Sequence, residues 1–165
     1  MTRVAGRKLS MTRVAGMTEI HVTIPGKPIP AARPRVTRYG TYIPKPQQEY
    51  MEILKSSMAT AMHSQRCEIA RTGVPVELAV SVHVPWPKAA RKNVATTTVP
   101  LVTRPDGDNY LKMAMDAGNG VIYEDDSQIW TARVEKWRVP RGEEGLHIRA
   151  IWGATWEIDN SVQIT

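Results

Sequence analysis

The 165-residue chain has one cysteine, no phenylalanine and, over two long stretches, no acidic residue at all. A lone Cys67 allows no internal disulfide, which fits a reducing compartment. The four histidines, His21, His63, His83 and His147, are scattered. That scatter argues against zinc, and more weakly against a Cys–His or Ser–His nucleophile. No apolar run approaches the ~20 residues that span a bilayer, and no secretory h-region follows the basic start. We therefore expect a soluble, cytoplasmic protein with no membrane partner. The phosphate-cradling GxxxxGK[ST] motif is missing. A calcium loop starting at Asp106 would need glycine where Leu111 stands and an acid where Ala117 stands, so it fails.

What is present is a polarised charge pattern. The net charge is +6 and the pI about 9.7. From Ile20 to Gln48 there is no acid, while Lys27, Arg33, Arg35, Arg38 and Lys45 are basic. From Leu78 to Pro105 there is again no acid, with Lys88, Arg91, Lys92 and Arg104. Tyr39, Tyr42 and Trp86 interleave these charges, the mix expected of a nucleic-acid surface. A solvated face that serves only solubility is the plainer reading. Six of the sixteen acids then crowd between Asp106 and Asp126. Phosphate suits the first two segments, and a cation suits the third.

Length and a 42% hydrophobic content predict one domain with a real core. MTRVAG occurs at 1–6 and again at 11–16, too short for a structural repeat. We set 1–16 aside as a disordered or non-native extension, with Met17 another candidate start. The domain is then 17–153, followed by a loosely held tail, 154–165. Alternation predicts strands at 18–25 and 76–84, and two more at 129–138 and 146–152, joined across a Pro-Arg-Gly turn. RVTR-YG-TYI reads as two short arms around a turn. Residues 46–64 fit a helix, with Pro46 in its first turn and Tyr50, Ile53, Leu54 and Met58 at helical spacing. A long loop at 85–105 leads to a short helix at 109–118, and a GNG turn returns the chain as a short strand, Val121–Tyr123. The expected fold is α/β (α+β), a mixed sheet with two or three helices. Trp130, Trp137, Trp152 and Trp156 read as core or interface residues.

Asp106 and Asp108 flank Gly107 just before the short helix. In the plain reading this is turn chemistry, with Asp108 as N-cap. In the other, Asp106 and Asp108 ligate Mg²⁺ or Mn²⁺, and the third carboxylate comes from Asp125–Asp126. Lys112 lies one helical turn after Asp108. It is either half of a surface pair or a cation that balances charge on a phosphate in a transition state. Asp116, a further turn on, is its candidate partner.

RPDGDNYLKMAMDAGNGVIYEDDSQI resembles the signature segment of the RusA family of Holliday-junction resolvases, found in bacteria and their phages. The shared elements are D-x-D-N, a lysine four residues after the second Asp, D-A, N-G and a later D-D-x-Q. IPGKPIPAARPRVTRYGTYIPKP is similar to the family's basic strand-and-turn opening, so the resemblance covers most of 20–150. It implies a homodimeric, Mg²⁺-dependent endonuclease acting on branched DNA in recombination and repair, with Mn²⁺ able to substitute. It carries metal-binding catalytic aspartates to Asp106, Asp108 and Asp126, ahead of Asp125, and the essential lysine to Lys112. Two positions depart from the pattern. Gly118 replaces a usual leucine, which predicts looser helix packing. Pro105 stands where some members are basic, leaving Arg104 as the nearby cation. A nuclease for flaps, or a DNA-binding protein whose acids merely cap a helix, are the alternatives. Tryptophan-rich surface from 129–138 and 146–152 is the expected dimer contact.

Overall fold

Alternation over Thr18–Pro25 builds β1, burying Ile20, Val22 and Ile24 while His21 and Thr23 face water. The structure, a computed structural model, describes residues 16–32, 35–38 and 40–153. The 154–165 tail, all of the 1–16 extension but Gly16, Arg33 and Trp156 lie outside these residues. After β1, Arg35–Thr37 (β2) and Gly40–Tyr42 (β3) pair as the expected two-armed turn. Helix α1 covers Lys45–Ser64 and leads to β4, Val76–Pro85. The long loop contains a two-residue strand, β5 (Val99–Pro100), which no apolar period announces. Helix α2 (Gly107–Gly118) follows, then a single 3₁₀ turn at Asp126–Gln128, β6 (Ile129–Val139) and β7 (Gly145–Trp152).

The main sheet has the order β1-β7-β4-β6-β5. β4 and β6 are parallel, so the chain between them must cross from one end of the sheet to the other, and α2 makes that crossing. β7 slots antiparallel between β1 and β4. The turn around Pro140–Gly142 therefore joins two strands that do not pair. β7 is interior and its side chains are mostly buried.

Both helices cover one sheet face. Tyr50, Leu54, Met58 and Met62 recur every four residues on α1, which packs against β1, and join Val76, Leu78, Val80, Val82, Leu146 and Ile148 in one buried cluster. Tyr110, Met113, Ala114 and Ala117 do the same from α2. Each large side chain buried this way contributes roughly 1.5–3 kcal/mol. The outcome is a single α+β domain.

The other sheet face is polar. Arg149 Nε donates to Glu19 Oε1 (2.5 Å), and its Nη1 lies 3.7 Å from Glu77. The rings of His83 and His147 are 4.4 Å apart, and His147 Nδ1 lies 3.2 Å from Thr23 Oγ1. Burial first, then His83, lowers the His147 pKa. Native His147 thus resists protonation. Its contribution to stability is whole above the ordinary value of 6.5 and is lost as pH falls through the depressed folded value. Urea unfolding near pH 7.5 and near pH 5 should show a loss on the acid side that His147→Gln reduces.

Two local expectations are corrected. Val121–Tyr123 is a turn with single bridges to Asn119 and Ala70, not a strand, because the chain folds straight back onto the end of α2. Of the tryptophans, Trp152 lies in the core, Trp137 is half-buried and Trp130 is 46% exposed. Gly118 does not loosen the helix. It is buried, and a methyl there would run into the Tyr123 hydroxyl, which donates to Met115 O (2.8 Å). The tyrosine ring occupies the space a larger side chain would need.

Candidate active site

The start of α2 is held from below by β6. Gly107 rests so closely on Val134 that a Cβ would lie 3.0 Å from its Cγ1. The Lys136 ammonium donates to Thr103 O (2.8 Å) and Pro105 O (2.7 Å), and the Leu101 amide donates to Lys136 O (2.8 Å). These bonds fix the segment leading into Asp106. Asp106, not Asp108, is the N-cap residue, since the helix begins two residues earlier than its apolar period suggests. Its side chain makes no capping hydrogen bond. Asp108 stands in the first turn and accepts from the Asn109 amide (3.0 Å). Both carboxylates are exposed at the helix end whose dipole favours negative charge. Lys112 is 68% exposed and its Nζ lies 3.9 Å from Asp116 Oδ2, a pair worth about 0.3–0.5 kcal/mol.

Asp125 and Asp126 differ sharply. The Asp125 carboxylate accepts from the Ser127 amide (2.9 Å), and its own amide donates to Gln128 Oε1 (3.0 Å), a reciprocal capping box. The bond from Ser127 holds the Asp125 carboxyl below the usual range. Gln128 Nε2 donates to the carbonyls of Ala70, Arg71 and Val74, anchoring the 3₁₀ turn to the loop before β4. Thr72 binds Glu124 through its hydroxyl and its amide, which lowers the Glu124 pKa. Asp126 is half-buried and leads the turn. The Tyr123 pKa is raised by burial, then by Asp126 and Asp116, so these two acids share one end of α2.

That placement separates the acids. α2 runs back along β6, with Gly107 over Val134 and its far end near Ile129. Five strand residues span about 16 Å and a twelve-residue helix about 18 Å. Ligands of one Mg²⁺ each lie about 2.0–2.1 Å from it. Among the described residues, no three Asp, Glu, His or Cys side chains stand close enough to hold one ion. Asp106 and Asp108 are together. Asp126 is at the other end of the helix, and one chain does not fit the three to one ion.

The basic segments flank the Asp106 end. The Ala31 amide donates to Asn109 O (2.9 Å), and the Ala32 amide to Gln47 Oε1 (3.0 Å), which docks the front segment on the first turn of α2. Lys27 and Arg38 are exposed, and Lys45 is exposed beside Glu49 at 3.5 Å. Of Arg35 only the backbone is described, in β2. Lys88, Arg91, Lys92 and Arg104 are exposed along the crossing loop. Trp86 organises that loop, donating from its indole to Thr97 O (2.8 Å) with the Arg138 guanidinium 5.8 Å from its ring centre. Lys136 escaped the sequence reading, because a lysine in a strand gives no signal of the carbonyls it will meet. Lys136→Met should leave two carbonyls unpaired and slacken the Asp106 segment. We expect an intact fold with the activity of the site lowered about tenfold or more, read as kcat against KM.

A family model described as "Endodeoxyribonuclease RusA" matches residues 25–149. The chain is also 32% identical over 127 residues to "Uncharacterized protein YqaN" of Bacillus subtilis (strain 168), covering 71% of this chain and 86% of that protein. The matched region runs from the end of β1 into β7 and takes in both ends of α2. The chain belongs to the RusA family of endodeoxyribonucleases.

Proposed function

We propose that the protein resolves Holliday junctions, cutting four-way DNA by paired symmetric nicks in recombination and repair, as a Mg²⁺-dependent homodimer in a bacterial or phage-infected cell. The observation that carries this is the exposed pair Asp106 and Asp108 on the first turn of α2, with Lys112 one turn on, in a chain of this nuclease family. Asp126 is favoured over Asp125 as the third carboxylate because Asp125 is already spent on its capping box. A divalent cation, Mg²⁺ or Mn²⁺, would supply positive charge beside the phosphate and a more acidic water.

The chain's own groups have separate jobs. Water forms a new bond to phosphorus as the P–O3′ bond opens, charge grows on the phosphate oxygens, and the Lys112 ammonium would offset it. Lys27, Arg33, Arg35, Arg38 and Lys45, with Lys88, Arg91, Lys92 and Arg104, hold the DNA arms by their phosphates. Such contacts position a duplex without reading its sequence and make affinity fall with salt. Lys136 keeps the Asp106 segment in place.

The test is cleavage of a synthetic four-way junction beside a flap and a linear duplex, with Mg²⁺ and with chelator. Symmetric junction nicks that need Mg²⁺ are expected. Equal cutting of the linear duplex, or none of the junction, would overturn the reading.

A further inference from the structure

Trp130 breaks the register of the sheet. β4 and β6 pair Val76 with Ile129 and then Glu77 with Thr131, so Trp130 is the extra residue of a β-bulge. Bulges are uncommon in parallel pairs, and they re-aim a side chain, often next to an active site. Here the indole is 46% exposed. It lines a cleft of about 390 Å³, within the roughly 300–1,000 Å³ of small-molecule sites. Pro75, directly before Val76, adds to the apolar wall, while Thr72, Asp125 and Ser127 supply polar edges. These walls are fixed before anything binds. Gln128 ties the 3₁₀ turn to the loop before β4 through three carbonyls, and Glu124 holds the Thr72 amide.

Charge decides what can enter. None of the residues that line the cleft is basic. The Ser127 amide holds the Asp125 carboxyl in its charged form, and Glu124 and Asp126 flank it in the chain. A phosphate is repelled here unless a cation bridges it, which suits Asp126 and not the cleft. A flat, uncharged group with a polar edge fits instead. Indole and proline meet its faces, and the exposed Ser127 hydroxyl can donate to its edge or accept from it.

We propose that this cleft takes one unpaired nucleobase of branched DNA, stacked on the Trp130 indole, from the nucleotide beside the phosphate at Asp126. The inference rests on the function proposed above. A base inside a duplex keeps its faces covered, and drawing it out costs least where pairing is already lost. A branch point, where strands change partners, is such a place, and a linear duplex is not. Stacking on an aromatic ring accepts every base, because each has a π face. The cleft therefore responds to branching rather than to sequence, and Trp130 sets the preference for a junction over a duplex.

The test uses the full-length protein in metal-free buffer. Four-way junctions carrying 5-iodouracil at successive positions around the branch are irradiated, and the cross-linked residue is identified by mass spectrometry. Wild type should cross-link through Trp130 from one or two positions beside the nick site, and from no position of a linear duplex. This measurement needs no variant to fold. Trp130→Ala should lower junction affinity about tenfold and leave duplex affinity unchanged, and Trp130→Phe should recover most of the loss. A tryptophan that only packs the fold, or only joins two subunits, leaves the ratio of junction to duplex affinity where it was. That unchanged ratio, or junction cross-links that map away from Trp130, would overturn the inference while junction cutting by wild type still stands. If wild type cuts linear duplex as readily as junctions, the proposed function falls and takes the inference with it.

Discussion

Asp106→Asn and Asp108→Asn should each give a folded protein that binds four-way junctions as well as wild type, or more tightly, and cuts none. Asp126→Asn should match them, and Asp125→Ala should keep its cutting but unfold more readily. The separation of effects follows from geometry. The Asp106 side chain makes no capping bond, and asparagine caps as well as aspartate, so little stability is at stake. Junction affinity rises in metal-free buffer because a repulsion with phosphate has gone. Turnover loses charge stabilisation worth several kcal/mol, about 10³-fold. Asp125 differs because its carboxylate holds the Ser127 amide. Gel-shift affinity, melting temperature and single-turnover cleavage, measured on the same preparations, separate the four variants. A fully active Asp108→Asn protein would return the aspartates to the role of helix cap.

Most of the fold was legible because one sheet face is buried. Burial on one side forces period-two patterns, and the strands at 18–25, 76–85, 129–139 and 145–152 lie within a residue of where alternation puts them. The expected helix at 46–64 differs from α1 by one residue for the matching reason. Strand order was not legible. A Pro-Arg-Gly turn between two strands says nothing about β4 entering between them, because that placement is decided by packing of the crossing helix on the sheet. At the site, the adjacency of Asp106 and Asp108 at the start of a helix was readable but the cap was not. Gly107 has no apolar signature, and its place in the helix is set by contact with Val134, far away in sequence. The same holds for Tyr123, whose ring explains why position 118 is glycine. Convergence of Asp126 with Asp106 was the expectation least supported by sequence, since it depends on which end of α2 the returning chain reaches. Here it reaches the far end.

Lys112→Ala should leave folding and junction binding intact and lower turnover by about 10²–10³, and the size of that drop decides between two roles. As a structural residue Lys112 has little to lose. Its ammonium is 68% exposed, and the 3.9 Å approach to Asp116 is long for an ion pair, so removing it costs no more than about 0.5 kcal/mol. A half-unit of energy spread over the whole protein does not slow chemistry measurably when the enzyme is folded. A charge that meets the phosphate only as its negative charge grows is another matter. Such a contact is absent from the ground state, so its loss appears in kcat and leaves KM nearly unchanged. Asp116 supplies the control. Asp116→Asn removes the partner of Lys112 and leaves the ammonium in place, so cleavage should stay near wild type. Lys112→Arg keeps the charge but replaces a compact ammonium with a planar fork, and should recover only part of the rate. Near-normal turnover for Lys112→Ala would assign the lysine to the surface pair. A fall in both kcat and melting temperature would mean that it supports α2 rather than the reaction.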